Sequence, residues 1–219
     1  MQNDLLRLYP QPGEQTAFTG LYLAHQLHKL GTAEFPFVYA NFLSSLDGRI
    51  ALEDVSQGTT YIPKHLTTPS DFRLFMELHA QADCLITNGG YMRALGEDRL
   101  GNILQVRHQD LLEWRRHNDL NGHPAVIIAS ASRNFPMHKS LHEQAQKVYI
   151  GTAKNAGPDR IRYWRDLGYP ILITTGKDRM AQGASLIHAL PGLGFKSIYL
   201  IAGPQMLDTM VRDKQLSRL

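Results

Sequence analysis

Apolar and polar positions alternate in blocks along the chain. Short apolar runs are separated by stretches with the 3.6-residue period of a helix. The runs are rich in Ile, Val and Tyr, as expected for strands that are covered on both faces. They predict six strands, at Phe37–Leu43, Cys84–Thr87, Ala125–Ser130, Lys147–Ile150, Ile171–Thr175 and Ser197–Ala202. Strands that alternate with helices predict an α/β domain with a largely parallel sheet.

The helical stretches carry recognisable start and stop signals. In "TTPSDFRLFMELHAQA", Thr68 can cap the helix, Pro69 suits the first helical position and Asp71 lies in the positive first turn. "EQTAFTGLYLAHQLHKLG" predicts another helix, with one apolar face and a C-cap at Gly31. "PDRIRYWRDLG" and "GASLIHALPGLG" continue the alternation. We therefore expect residues 1–34 to form a helical extension packed on a domain that spans residues 35–219.

Composition narrows the class of protein. A chain of 219 residues with 43% hydrophobic residues suits one large domain with a sizeable core. The net charge is only +3 and the basic residues are scattered, so a nucleic-acid-binding surface is not indicated. No apolar run approaches the ~20 residues of a membrane span, and the N-terminus lacks the apolar core of a signal peptide. We expect a cytoplasmic protein that binds neither nucleic acid nor membrane.

Cysteine and histidine give no sign of a metal site. The single cysteine, Cys84, excludes an internal disulfide and suits a reducing compartment, and its setting "ADCLIT" predicts a small buried apolar residue. His25/His28 and His138/His142 have helical spacing, but no zincin pattern or Cys-x-x-Cys motif accompanies them. We expect no metal.

Candidate chemistry lies at the ends of the predicted strands, where ligands bind in parallel α/β sheets. The first strand runs into "SSLDGR", residues 44–49. This segment is compatible with a tight turn, because Asp-Gly tolerates positive φ and Ser and Asp bind local amides. It is also compatible with a substrate-facing site in which Asp47 is a fixed carboxylate and Ser45 a second polar contact.

Three other strand ends suggest phosphate binding. Gly89-Gly90 follows the second strand and removes side chains where a ligand could approach the backbone. Ser130, Ser132 and Arg133 follow the third strand, and hydroxyls followed by arginine can hold a phosphate monoester. Gly203-Pro204 follows the sixth strand and leads into a helix whose amides can seat a pyrophosphate. Each segment taken alone is also compatible with an ordinary loop.

Taken together and in order, these segments resemble one family. "VYANFLSSLDGRIA" resembles the opening strand of the riboflavin-pathway pyrimidine reductases, the RibD C-terminal domain family. "TTPSDFRLFMELHAQADCLITNGG", "AVIIASASR" and "GASLIHALPGLGFKSIYLIAGPQML" resemble its later helices, strands and cofactor loop. The resemblance runs from about Phe35 to the last residue. It implies a dihydrofolate-reductase-like three-layer domain with a central, mostly parallel sheet and helices on both faces.

The resemblance also implies an activity. It is that of an NADPH-dependent reductase similar to 5-amino-6-(5-phosphoribosylamino)uracil reductase, with hydride transfer to the ribosyl group. Asp47 and Ser45 would then be the catalytic residues on the substrate side, and the protein would be a homodimer. The cofactor-binding residues implied by the resemblance are Ala40, Asn88, Gly89, Gly90, Ser130, Ser132, Arg133, Thr174, Gly203, Pro204, Gln205 and Met206.

Within that set, the resemblance assigns the pyrophosphate to Gly89-Gly90 and Gly203–Met206. It assigns the 2′-phosphate to Ser132 and Arg133, and places Thr174 along the same groove.

The chain departs from the family pattern in two places. Ala202-Gly203-Pro204 stands where family members commonly have Glu-Gly-Gly. The family also continues with a further strand and a closing hairpin where this sequence stops. Either the sequence is truncated there, or the hairpin is absent and another element must cover the sheet edge. Two other functions stay open, a reductase of a pterin or other heterocycle and a nucleotide-binding module without turnover. RNA binding is not favoured, because basic and aromatic residues do not interleave.

Overall fold

The computed structural model of the protein describes residues 4–9, 13–50, 52–54, 59–61, 63, 66–132, 134–153, 157–174 and 183–219. The strands are β1 (Asp4–Arg7), β2 (Glu14–Ala17), β3 (Phe37–Ala40), β4 (Leu52–Asp54), β5 (Thr59–Tyr61), β6 (Cys84–Asn88), β7 (Ala125–Ala129), β8 (Val148–Ala153), β9 (Ile171–Thr174) and β10 (Ser197–Leu200). The helices are α1 (Pro69–His79), α2 (Gly89–Gly96), α3 (Gln109–His117), α4 (Lys139–Glu143), α5 (Pro158–Asp166), α6 (Gly183–His188) and α7 (Pro204–Arg212).

Six strands form the central sheet, in the order β3-β10-β6-β7-β8-β9, and every neighbouring pair is parallel. They are the six strands expected from the apolar runs, with ends that differ from the predicted ones by at most three residues. The separate hairpins β1-β2 and β4-β5 were not predicted. Because all strands of the sheet are parallel, their carboxyl ends lie along one edge.

Alternating side chains divide the core into two layers. Leu85, Val126 and Tyr199 point to one face, where buried residues of α1, α2, α4 and α5 cover them. Ile86 and Leu200 point to the other face, which α6 and α7 cover. The structure therefore has helices on both faces of a parallel sheet, and the predicted α/β fold class is confirmed. Cys84 is buried in the second layer, as expected.

Helix α1 begins as its sequence predicts. Thr68 is the N-cap, and its Oγ1 accepts a hydrogen bond from the Asp71 amide at 3.1 Å, with Pro69 at the first helical position. Capping groups lie within three residues of one another, so this helix start is decided locally.

The predicted helix across residues 14–31 is wrong. Residues Glu14–Ala17 form β2, and two short 3₁₀ helices, Leu23–His25 and Leu27–Lys29, follow. The left-handed Gln26, with φ of 48°, separates the two 3₁₀ helices and with them His25 from His28.

Buried side chains of α1 explain this difference. Glu77 accepts hydrogen bonds from the amides of Gly20 and Tyr22, at 2.6 and 2.9 Å, and Gln81 accepts one from the Leu27 amide at 2.8 Å. These amides are thereby withdrawn from the i→i−4 ladder that a continuous helix requires. Contacts distant in sequence override the local apolar period.

The extension returns to the sheet at Gly31. A Cβ at this position would lie 2.2 Å from the Lys196 carbonyl oxygen and 2.3 Å from the Phe37 amide nitrogen. Only glycine fits where the extension passes the first residues of β3 and β10. The division of the chain at residues 34 and 35 stays a prediction.

The last residues of the chain cover part of the outer edge of β3. The Ser217 amide donates to the Val38 carbonyl at 2.7 Å, and the Ala40 amide donates to the Arg218 carbonyl at 3.0 Å. Tyr39 and Arg218 form a parallel bridge.

Candidate functional site

The crevice between β6 and β10 is the topological switch point of the sheet. These two strands are neighbours, but α2 leaves β6 on one face and α7 leaves β10 on the other. Chains that diverge in this way open a crevice outside the strand ends, which is where ligands bind in open α/β sheets. Asn88 to Gly90 and Gly203 to Met206, both predicted from the sequence, lie at this crevice.

Asn88 joins the two sides of the crevice. As the N-cap of α2, its Oδ1 accepts a hydrogen bond from the Tyr91 amide at 2.8 Å. Its Nδ2 lies 3.6 Å from the position that a Cβ on Gly203 would occupy. Asn88 therefore fixes the first turn of α2, and its side chain lies beside the residue that precedes α7.

Amides of both helix starts lack an acceptor within their helix. In α2, the Asn88 side chain binds the Tyr91 amide, so the amides of Gly89 and Gly90 have no intrahelical partner. In α7, the amides of Met206 and Leu207 donate to the Gly203 carbonyl. Pro204 has no amide hydrogen to donate. Within the predicted segment Gly203–Met206, the Gln205 amide thus lacks an intrahelical acceptor, unlike that of Met206. The positive ends of two helix dipoles meet at this crevice, which suits an anion.

Close packing accounts for the glycine at position 89. A Cβ there would lie 2.7 Å from Ser130 Oγ and 3.1 Å from Phe135 Cδ1. Ser130 is buried at the end of β7, so its hydroxyl supports the first turn of α2 from the neighbouring strand. Ser130 and Gly89, both predicted to bind the cofactor, thus lie next to each other.

Arg93 is a site residue that sequence reasoning missed. Its Nη1 donates to the Asn134 carbonyl at 2.9 Å, and its Nη2 lies 3.8 Å from the position of a Cβ on Gly90. In the same loop, the Asn134 amide donates to Ser132 Oγ at 3.4 Å. The available signal was its spacing, because residues three apart on a helix are neighbours and Arg93 follows Gly90 by three.

The remaining predicted cofactor residues are more dispersed. Ala40 is buried at the end of β3, next to β10. Thr174 ends β9, three strands from β6, which at ~4.8 Å per strand is roughly 14 Å across the sheet. Arg133 lies outside the described residues.

Ser45 and Asp47 form an exposed turn that follows β3. The Ser45 hydroxyl donates to Asp47 Oδ1, Asp47 Oδ2 lies 3.2 Å from Arg49 Nε, and the Gly48 amide donates to the Ser45 carbonyl at 2.9 Å. Gly48 has φ of 80°, which favours glycine. The Ser45 hydroxyl, followed by Arg49, holds the pKa of Asp47 below its usual value. The side chain is therefore a carboxylate at neutral pH, prearranged at the surface.

Two further features concern metal binding and membrane insertion in the described part of the chain. It contains no group of three or more His, Cys, Asp and Glu side chains arranged to hold a metal ion. None of its helices is long and apolar enough to cross a membrane.

Comparison with known proteins confirms the resemblance found in the sequence. No family model matches the chain. The chain is 18% identical, over 184 residues, to the 2,5-diamino-6-ribosylamino-4(3H)-pyrimidinone 5′-phosphate reductase of Archaeoglobus fulgidus. This alignment covers 84% of the chain and 78% of the relative.

Solved structures show the same fold. A pyrimidine reductase-like protein from Corynebacterium diphtheriae matches with a TM-score of 0.60 and 17% identity, over 84% of this chain and 72% of that one. The riboflavin biosynthesis reductase Rib7 of Saccharomyces cerevisiae matches with a TM-score of 0.56 and 13% identity, over 90% and 77%. The predicted dihydrofolate-reductase-like architecture is confirmed by these matches.

Proposed function

We propose that the chain is an NADPH-dependent reductase that converts the ribosyl group of a ribosylaminopyrimidine 5′-phosphate into a ribityl group. The observation that carries this proposal is the crevice between β6 and β10. Two glycine-led helix starts there direct amides without an intrahelical acceptor at one place. The curated relative, a reductase of such a pyrimidine, supports the substrate class.

The residues of the crevice fit a dinucleotide. Gly203 keeps a side chain out of the approach to the backbone, whereas Gly89 lets the first turn of α2 pack against Ser130. The amides of Gly90 and Gln205 are placed to hold a pyrophosphate. Ser132 and Arg133, beyond the end of β7, are assigned to the 2′-phosphate. Bound NADPH would supply the hydride, and the protein would bind, orient and shield the reactants.

Asp47 and Ser45 are assigned to the substrate. Because its pKa lies below the usual value, Asp47 stays ionised at neutral pH and acts as a hydrogen-bond acceptor, not as an acid. A ribose offers several hydroxyl donors to such an acceptor. Reduction of the ribosyl to the ribityl group breaks the bond between C1′ and the ring oxygen, and adds a hydride at C1′ and a proton on that oxygen. Since Asp47 is ionised, the proton would come from water.

A substrate panel tests this function. NADPH oxidation should be observed with the diaminopyrimidinone or the aminouracil form of the ribosylamino 5′-phosphate, and should fall when the phosphate is removed. Oxidation with dihydropterins alone would favour the heterocycle reductase. NADPH binding without oxidation of any member of the panel would favour the nucleotide-binding module.

Two further properties belong to this proposal. The family resemblance implies a homodimer, and the single buried cysteine suits the cytoplasm. Light scattering at micromolar concentration should give the mass of two chains, and a stable monomer would contradict the dimer.

A further inference from the structure

Arg93 carries a positive charge that no described carboxylate neutralises. Among the residues that the structure describes, none places a carboxylate within 4.0 Å of its guanidinium. Glu97, one helical turn further on, is bound by Arg99 at 2.6 Å. The side chain is exposed, and among the described residues its hydrogen-bond partner is the Asn134 carbonyl. A fixed arginine with most of its donors unused is suited to bind an anion.

The position of the guanidinium indicates which anion. Arg93 reaches from α2 to the loop after β7, which lies on the opposite side of β6 from β10. The pyrophosphate position lies between β6 and β10. An anion at Arg93 would therefore lie about one strand spacing, ~4.8 Å, further along the edge of the sheet.

We propose that Arg93 binds the 2′-phosphate of NADPH and sets a preference for NADPH over NADH. The inference rests on the proposed function. A guanidinium can bind a phosphate monoester through two parallel hydrogen bonds. The first turn of α2, next to Gly90, adds the positive end of a helix dipole. The hydrogen bond to Asn134 holds the side chain toward the loop that contains Ser132, so Ser132 is its natural partner.

Calorimetric titration with paired ligands tests the inference without any turnover. Wild type, Arg93→Ala and Arg93→Lys are titrated with NADPH and NADH, and with 2′,5′-ADP and 5′-AMP. Arg99→Ala is the matched control, an exposed arginine six residues further on whose carboxylate partner is Glu97. We expect Arg93→Ala to weaken NADPH and 2′,5′-ADP by about ten- to hundredfold. NADH and 5′-AMP should change by less than about twofold, and Arg93→Lys should lie in between.

Each other outcome contradicts the assignment. Equal losses for NADPH and NADH would mean that Arg93 serves the pyrophosphate or only ties α2 to the neighbouring loop. An unchanged NADPH affinity would remove Arg93 from the site. Failure of wild type to bind either dinucleotide would contradict the proposed function itself, and this is seen before any variant is compared.

Discussion

Polar groups at the two edges of the central sheet differ in their hydrogen bonding. At the amino edge, Asp83 Oδ2 accepts from the amides of Lys196 and Ser197 at 2.8 and 3.1 Å, and Ser197 Oγ donates to the Gln81 carbonyl at 2.8 Å. The buried Arg115 donates to three carbonyls, those of Ala80, Ala82 and Asn121. Here, these side chains bind backbone groups of the fold, although Arg115 Nη2 has no hydrogen-bond partner among the described residues.

At the carboxyl edge the corresponding groups point outward. The amides of Gly90 and Gln205 have no acceptor within their helices, and the guanidinium of Arg93 has no carboxylate partner among the described residues. Buried polar groups that are satisfied hold a fold together, whereas unsatisfied groups at a crevice are available to a ligand. We therefore expect the amino edge to stabilise the domain and the carboxyl edge to bind a ligand. Single substitutions at each edge test this difference.

The largest expected effect is at the amino edge. Arg115→Ala leaves three carbonyls without a donor and opens a cavity, so the free energy of unfolding should fall by about 3–5 kcal/mol. Chemical denaturation measures this loss, and Arg116→Ala, its exposed neighbour, is the control. NADPH affinity per folded molecule should not change. If Arg115→Ala had normal stability and weakened NADPH binding, the amino edge would serve binding and not stability, which contradicts the comparison.

A second effect depends on pH. His79 is fully buried, and burial first, then Arg115 and His123, lower its pKa from 6.5 to about 3. The unfolded chain takes up this proton below pH 6.5 and the folded chain does not, so stability falls as pH drops from 6.5 toward 3. Between pH 7 and pH 5, His79 should cost about 2 kcal/mol.

The variant His79→Gln removes this titration. Denaturation curves at the two pH values should show a smaller loss of stability in the variant than in wild type. Equal losses in both proteins would show that His79 is not a source of acid sensitivity.

A third prediction concerns the ligand side of the crevice. A Cβ on Gly203 would be 3.6 Å from Asn88 Nδ2, an ordinary contact, and its backbone angles suit any residue. Gly203→Ala should therefore fold normally yet weaken NADPH and NADH equally, by about tenfold, because the methyl group obstructs the approach to the backbone. Gly101→Ala, which meets no atom within 4 Å, is the control for calorimetry. Unchanged affinity would place the pyrophosphate elsewhere.

The smallest effect is expected in the exposed turn. Asp47→Asn should leave the melting temperature and NADPH affinity near wild type, because its side chain is 59% exposed. Turnover should fall about three- to tenfold, since a neutral amide replaces a charged acceptor. Steady-state kinetics on the true substrate measure this, with Asp208→Asn, an exposed carboxylate paired with Arg212, as the control. Wild-type turnover would make the segment a turn and nothing more.

Local patterns explain which features the sequence could predict. The six sheet strands are apolar blocks, and the start of α1 is capped within three residues, so both are visible in short windows. The extension was misread because Glu77 binds amides 55 and 57 residues away.

The candidate site likewise contains residues that local sequence predicts and one that it does not. Its glycine turns stand directly after apolar strands, so they were found. Arg93 was missed because its hydrogen-bond partner, Asn134, lies 41 residues further along the chain. Which strands become neighbours, and so which loops share a crevice, is decided by the β10-β6 pairing and not by any single segment.

The most direct test of the proposed reaction is transfer of label from cofactor to substrate. Purified protein is incubated with a ribosylaminopyrimidine 5′-phosphate and NADPH deuterated at the transferred position, and the product is examined by mass spectrometry. The account predicts a ribityl product with one deuterium at C1′, and loss of that product in a Gly203→Ala and Arg93→Ala double variant at limiting NADPH. Oxidation of NADPH without deuterium in the pyrimidine, or no oxidation while NADPH is bound, would contradict it.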